Sequence, residues 1–443
     1  MDEVKKNGRT LALVSLGCAK NLVNSEEMLA LLDEAGYTLV DSMEEADGVI
    51  INTCGFINDA KTEAIDSILS AAELKKDRPA LKIIVTGCLS QRYRREIPDE
   101  LPEVDAMLGT ADYENIVSVV DAVFAGEPGV ERFSPLNSPV PELPRLVTTG
   151  PNWAYFRIAE GCDNRCAYCV IPYLRGPYRS RSMESLLEEA RGLSQCGVQE
   201  LIVVAQDITR YGTDFGGKPL LSELLRELCK LDFHWIRLHY LYPEMVDEEL
   251  IETIAAEDKI VKYLDIPIQH INDDILRRMN RRGDGQMIRT LFAKLRSRMP
   301  NIVLRTSLIT GLPGEDEAAF EELCAFLREA KIQRAGVFPY SPEEGTPAAK
   351  MEDRVDTEEA ARRADLIMEL QEQVMDEWNA SLIGTELEVL VQGEEDGYTW
   401  GRSYADSPDI DGRVWFEGQV PLGSFVAVRI TDSEDGELWG ELI

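Results

Sequence analysis

Three short apolar runs near the amino end, LALVSL (11–16), GVIINT (48–53) and KIIVTG (82–87), are separated by stretches such as NSEEMLALLDEAG and DAKTEAIDSILSAAELKK, whose apolar positions recur at helical spacing. Such runs between amphipathic helices predict an open parallel α/β sheet over residues 9–125. The alternation resumes at Trp153. WAYFRIA, ELIVVAQ, WIRLHY, KYLDIPI, IVLRTSLI and AGVFPYS are interleaved with helical patterns such as MESLLEEARGLSQCG, LSELLRELCKL, IRTLFAKLRSRM and DEAAFEELCAFLREAK. Six strand-helix units predict a partial (β/α)6 barrel over residues 152–350, short of the closed eightfold form.

Breaks in the pattern delimit the remainder. Residues 126–151 contain Pro128, Pro135, Pro139, Pro141, Pro144 and Pro151. Proline at that density excludes a helix and predicts a linker or an extended segment lying on the surface. TEEAARRADLIMELQEQVMDEWNA predicts one connecting helix over 351–380, with Gly384 as its stop. Five short alternating runs, TELEVLV, YTWGRSYA, RVWFEG, SFVAVRI and ELWGELI, predict a small antiparallel β-barrel over 381–443.

Cysteine placement gives these elements a chemistry. Cys18, Cys54 and Cys88 stand at the ends of the first three strands. Parallel strands present their carboxyl ends on one edge, where ligands bind, so these three are predicted to converge; the competing reading is three small buried hydrophobes. Cys162, Cys166 and Cys169 occupy the run GCDNRCAYC after the first barrel strand, on the edge where barrel chemistry sits. A C-x3-C-x2-C triplet suits a 4Fe-4S cluster with one iron left free of protein thiolate. S-adenosylmethionine chelating that iron through its amino and carboxylate groups would lie within electron-transfer reach, and its reductive cleavage would release a carbon radical. Zinc would call for a fourth Cys or His nearby, and His234, His239 and His270 are all remote in sequence; thiols without a role are the other alternative. Cys196, Cys229 and Cys324 fall on apolar helical faces and are predicted to be core.

Charge narrows the partners. The 443 residues carry a formal net charge of -34, which repels phosphates at long range and draws in basic proteins. Nine cysteines, three of them close together, fit metal ligation in a reducing compartment better than a disulfide framework. Lys5, Lys6 and Arg9 before LALVSLGC imitate a signal peptide, but the apolar run is short and cleavage before Cys18 would discard a core strand. No stretch approaches the roughly 20 apolar residues of a membrane span. A cytoplasmic, non-membrane protein is expected.

The motifs SLGCAKNLVNSE, INTCGF, VTGCLSQR, GCDNRCAYCVIP, GLPGE (311–315) and FPYSPEEGTPA (338–348) occur in an order that resembles the radical-SAM methylthiotransferases, over nearly the whole chain. The resemblance implies an N-terminal cluster domain, a radical-SAM core and a C-terminal TRAM barrel. It implies one 4Fe-4S cluster on Cys18, Cys54 and Cys88 and a second on Cys162, Cys166 and Cys169, with S-adenosylmethionine cleaved at the second. The implied reaction replaces C–H by C–S–CH3, and a flavodoxin-type protein is the expected electron donor. Further cofactor contacts are sought at strand ends. Tyr168 is placed to pack on an adenine or in core, Gln206 and Asp207 end the second barrel strand, Gln269 and His270 follow the fourth, and Arg305 lies on the fifth. Asp207 is a candidate acceptor for a ribose hydroxyl or amino group and Arg305 a fork for the cofactor carboxylate, with local salt bridges as the alternative for each. GLPGE lacks the Lys and Ser or Thr of a P-loop and is expected to let backbone approach the cofactor.

One branch of the family modifies adenosine in tRNA and another an aspartate β-carbon in small-subunit ribosomal protein twelve. Residues 381–443 hold 14 acidic residues against Arg402, Arg413 and Arg429, a net of -11. An RNA-gripping barrel needs the opposite sign. GRSYADSPDIDG (401–412) also resembles the acidic stretch of the ribosomal-protein branch. A basic ribosomal protein is therefore the expected substrate, with no direct nucleic-acid substrate. Trp400, Tyr404 and Trp415 are candidate contact aromatics. The tRNA enzyme and a non-catalytic iron-sulfur scaffold or electron carrier remain the alternatives.

Overall fold

The computed structural model describes residues 8–150 and 152–443; Lys5, Lys6 and Pro151, used above, lie outside them. The first sheet is wholly parallel, in the order Thr38–Leu39, Thr10–Ser15, Gly48–Thr53, Lys82–Gly87, Ala106–Leu108, Val130–Arg132. Its central strand, Gly48–Thr53, is buried at every residue, as expected of a strand covered by helices on both faces. Three of the six strands were not predicted, because two or three residues are too short to show a period. One of them, Val130–Arg132, corrects the predicted linker, which begins by extending the sheet. The rest of that segment hugs the surface, where Leu146 N–H donates to Glu26 O at 3.1 Å and Arg145 pairs with the buried Glu26 carboxylate at 2.6 Å.

A second six-stranded parallel sheet runs Arg334–Pro339, Val303–Thr310, Ile260–Asp265, Trp235–Leu238, Glu200–Val204, Trp153–Arg157. This is the partial barrel, and it stays open because its first and last strands do not pair. The helix Thr357–Ser381 adds Ile367, Leu370 and Val374 to the barrel's core cluster. Five strands between Glu386 and Leu442 then close a small barrel. Four of its pairings are antiparallel, while Val414–Glu417 and Glu437–Leu442 run parallel, which alternation alone does not encode. No helix among the described residues is long and apolar enough to cross a membrane.

Candidate active site

The carboxyl edge of the first sheet carries the first cysteine set. Cys18 precedes the helix Ala19–Glu34, Cys54 follows Gly48–Thr53 directly, and Cys88 opens the helix Cys88–Arg92 after Lys82–Gly87. Gly17 lets two of these loops touch: its φ is +90°, and an added Cβ would come within 2.7 Å of Cys54 Cβ. Backbone N–H groups of Asn21 and Lys20 reach the Cys18 sulfur, and that of Phe56 reaches Cys54. Burial, followed by the neighbouring Cys88, pushes the Cys54 thiol up to about 11. A thiol so placed ionises when a metal replaces its proton, and amide N–H groups then stabilise the thiolate. Among the described residues no three ligating side chains are grouped to hold a single ion. A cubane takes its cysteines on separate irons, and three thiols around a shared volume fit that demand.

The second set lies on the loop after Trp153–Arg157. Cys169 N–H donates to Cys166 O at 3.0 Å, Ile171 N–H to Cys169 Sγ at 3.5 Å, and the N–H of Asn164 reaches Cys162. Burial pushes the Cys162 thiol up to about 12, with Asp207 and Cys166 adding to it. Two residues invisible to local sequence surround Cys166: Tyr242 Oη is 3.6 Å from its sulfur and Arg281 Nη1 3.8 Å, with the guanidinium over the Tyr242 ring at 4.4 Å. They lie 76 and 115 residues away along the chain, so no spacing motif signals them.

The two sets face each other. Cys88 packs with Val170 and Leu174, beside Phe56, and Val170 directly follows Cys169. Arg175 ends the helix Ile171–Arg175 and crosses to the other domain, donating at 2.9 Å to Asn21 Oδ1 and Asn24 Oδ1 there, while it also donates to Glu160 Oε2 of its own domain at 2.9 Å. Its charge bears on Cys88 and Cys18. Arg157, fully buried, adds a bridge to Glu27 at 2.8 Å. Buried ion pairs of this kind fix one docking geometry, since breaking one leaves a charge without water or partner.

The other candidates divide. Asp207 accepts from Asn164 Nδ2 at 2.8 Å, from Thr209 N–H at 3.0 Å and from the Thr209 hydroxyl, and pairs with Arg210 at 3.2 Å. Its carboxylate holds Asn164 and with it the cysteine loop, a positioning role. Arg305 already has a carboxylate partner, Asp265 at 2.9 Å, so the local salt bridge stands in place of the expected fork. Gln206 donates to Glu160 Oε1 at 2.7 Å and keeps a buried Oε1 with no partner among the described residues. Gln269 sits at φ +70° and bridges Leu308 through its backbone, while no hydrogen bond engages its side chain among the described residues. Tyr168 packs beside Ala167, Met279 and Leu312, and burial together with Cys166 holds its phenol up. Gly311 of GLPGE, at φ +74°, is pressed against Ala360, where an added Cβ would lie 2.2 Å from the alanine methyl; its close approach is to the connecting helix. His270 and Arg363 both reach Glu315 of the same turn, at 3.5 and 2.8 Å.

The acidic terminal stretch is in part turned inward. Asp406 pairs with Arg334 at 2.7 Å, Asp411 accepts from Tyr263 at 2.6 Å and Ser407 Oγ lies 3.0 Å from His239 Nε2. Arg237 donates to Tyr404 O at 2.8 Å. This loop packs against the open barrel, so part of the terminal domain's acidity is spent on internal pairs. The three terminal arginines are partnered: Arg402 on Glu200, Arg413 over the Trp400 ring at 4.2 Å, Arg429 on Glu386 at 2.8 Å. Trp415 stacks on Trp439 at 5.7 Å, Trp400 joins at 6.2 Å, and Tyr404 packs into the contact with the core. Cys229 and Cys324 pack against the core, but Cys196 follows its helix as an exposed residue and is not core.

A half-barrel whose first loop carries three cysteines defines a radical-SAM enzyme, and the Radical SAM superfamily model matches residues 156–327. Residues 10–109 match "Uncharacterized protein family UPF0004" and 383–443 the TRAM domain. The radical S-adenosylmethionine methyltransferase TsrM from Kitasatospora setae shares the fold at a TM-score of 0.57 and 14% identity, covering 88% of this chain and 79% of that one. Proteins named ribosomal protein uS12 methylthiotransferase RimO are far more similar. That of Lachnoclostridium phytofermentans is 48% identical over 96% of this chain and 98% of its own length; that of Geobacter sulfurreducens is 48% identical over 98% of each. The chain belongs to the RimO family of methylthiotransferases.

Proposed function

We propose that this enzyme adds a methylthio group to the β-carbon of an aspartate in ribosomal protein uS12, in the cytoplasm, with two 4Fe-4S clusters and S-adenosylmethionine. Cys18, Cys54 and Cys88 would hold one cluster and Cys162, Cys166 and Cys169 the other. The observation that carries it is the packing of Cys88 on Val170 and Leu174, which brings the N-terminal cysteine set next to the segment that follows Cys169. The bound groups supply one-electron cleavage of the cofactor and a carrier for sulfur, chemistry no side chain provides. The chain's own residues position and shield. Asp207 holds Asn164 and with it the cysteine loop; Tyr242 and Arg281 cover Cys166; Gln206 Oε1 and the Gln269 side chain are polar groups left open for the cofactor.

A basic protein substrate suits the net charge of -34, which speeds encounter with a cationic partner. The tRNA alternative is disfavoured because Arg402, Arg413 and Arg429 are each paired with a carboxylate, of Glu200, Glu395 and Glu386, which leaves the terminal barrel no unpaired cation for a phosphate among the described residues. A flavodoxin-type protein is the proposed reductant. Mass spectrometry of uS12 incubated with reconstituted enzyme, S-adenosylmethionine, sulfide and reductant should find a methylthio gain on aspartate. Methylthio-adenosine in tRNA with uS12 untouched would select the tRNA enzyme. No release of 5'-deoxyadenosine from fully loaded protein would select the electron carrier.

A further inference from the structure

Lys20 is the one buried lysine among the described residues, 7% exposed. It lies in the first turn of Ala19–Glu34, two residues after Cys18, and its Nζ sits 3.6 Å from the centroid of the Tyr240 ring. Tyr240 belongs to the opposite domain, just past the barrel strand Trp235–Leu238. The buried arginines around this cleft are matched by acids: Arg157 by Glu27, Arg175 by Glu160, Arg237 by Glu200. Lys20 forms no ion pair with any carboxylate among the described residues; it hydrogen-bonds Tyr240, and the charged groups nearest it are the Cys18 thiol, whose ionisation it favours, and the Arg175 guanidinium. An aromatic face holds an ammonium but does not neutralise it. A buried cation without its anion is costly, and such groups are found paired.

Tyr240 is itself held with care. Its φ is +63°, uncommon for a residue with a side chain, and its N–H donates to Asp265 Oδ2 at 3.2 Å while Arg305 grips Asp265 Oδ1 at 2.9 Å. Ring and ammonium are therefore set from two domains at one point of the cleft, next to the first cysteine set. The carboxylate that Lys20 lacks has a source if the function proposed above holds, on which this inference rests: the reacting β-carbon of aspartate is bonded directly to its carboxylate carbon. We infer that Lys20 receives the substrate's aspartate carboxylate, and so holds the adjacent β-carbon beside the cysteine sets and makes the enzyme selective for an acidic side chain. An amide or a nucleobase in that place leaves the ammonium buried and unpaired, which is the strongest form of discrimination a small pocket offers.

The test compares binding of two synthetic peptides from uS12 that span the aspartate to be modified, one with the aspartate and one with asparagine in its place, by fluorescence anisotropy. Iron and sulfide content of each protein are measured alongside. Wild-type enzyme should favour the aspartate peptide by about tenfold, the ratio one charged hydrogen bond supports. Lys20→Met should bind both peptides equally, and Lys20→Arg, which keeps the charge, should retain most of the preference. A Lys20→Met protein that still prefers aspartate overturns the inference alone, as does a wild-type enzyme that modifies uS12 yet binds both peptides equally. A wild-type enzyme that leaves the aspartate of uS12 unmodified while it methylthiolates tRNA overturns the proposed function and this inference with it.

Discussion

The two cysteine sets adjoin one another but are assembled in opposite ways. Cys162, Cys166 and Cys169 lie within eight residues, and hydrogen bonds inside that loop place them. Cys18, Cys54 and Cys88 are 36 and 34 residues apart, and they come together through the parallel register that aligns Val14 with Ile51 and Ile51 with Val85. A local set needs its loop held; a distributed set needs a whole sheet. Damage to the first domain should therefore erase one set and leave the other.

Single cysteine replacements test that separation most severely. Cys162→Ala should abolish release of 5'-deoxyadenosine and methylthio transfer alike, whereas Cys54→Ala should abolish transfer and keep release, each protein losing roughly half its iron. Loss of release in Cys54→Ala would merge the two sets into one functional unit. Arg175→Met comes next, because it strips a buried bridge between the sets and leaves Glu160 short of a partner. A loss of about 3–5 kcal/mol is expected by calorimetry, with Arg175→Lys in between. The midpoint potential of the N-terminal set, followed by spectroscopic redox titration, should fall, since a nearby cation favours the reduced and more negative state. An unmoved potential would make Arg175 a purely structural tie.

A pH dependence sharpens the same boundary. Burial opposes ionisation of Glu160, but Arg175 and Arg157 outweigh it and hold its carboxyl below the usual range. A depressed folded value means that the stabilisation is complete above the ordinary carboxylate pKa of 4.5 and is lost as pH falls through the folded value. Acid unfolding of Glu160→Gln should accordingly show a shallower decline below pH 4.5 than wild type, and parallel curves would remove Glu160 from the account. The smallest effect belongs to a cysteine outside both sets: Cys196→Ser, at an exposed position, should change stability by no more than about 0.5 kcal/mol and leave iron content unaltered.

Much of this protein was legible before any coordinate. Both parallel sheets, the connecting helix, the terminal barrel and both cysteine triplets follow from period, breakers and spacing, signals that live within a few turns of chain. What sequence missed has one character. Lys20, Arg175 and Arg281 look like ordinary basic residues, and Asp406 and Asp411 like surface acids, yet the first four are buried, the side chain of half-buried Asp411 is covered, and all are matched to partners far along the chain or to none. Asp207 and Arg305 lie where the strand pattern put them, but the atoms that engage them, on Asn164, Thr209 and Asp265, are chosen by packing and have no local signature.

By itself the sequence determined the two halves of the chemistry: three thiols on one loop, three at the ends of parallel strands, and an acidic terminal domain. Period-two and period-3.6 patterns act over a few residues, and so do ligand spacings. Only the tertiary structure decided that the triplets face each other across Arg175, that the acidic loop packs against the barrel, and that one lysine stands buried without an acid. Those are properties of desolvated charges brought together over long sequence separations, and burial has no local signature.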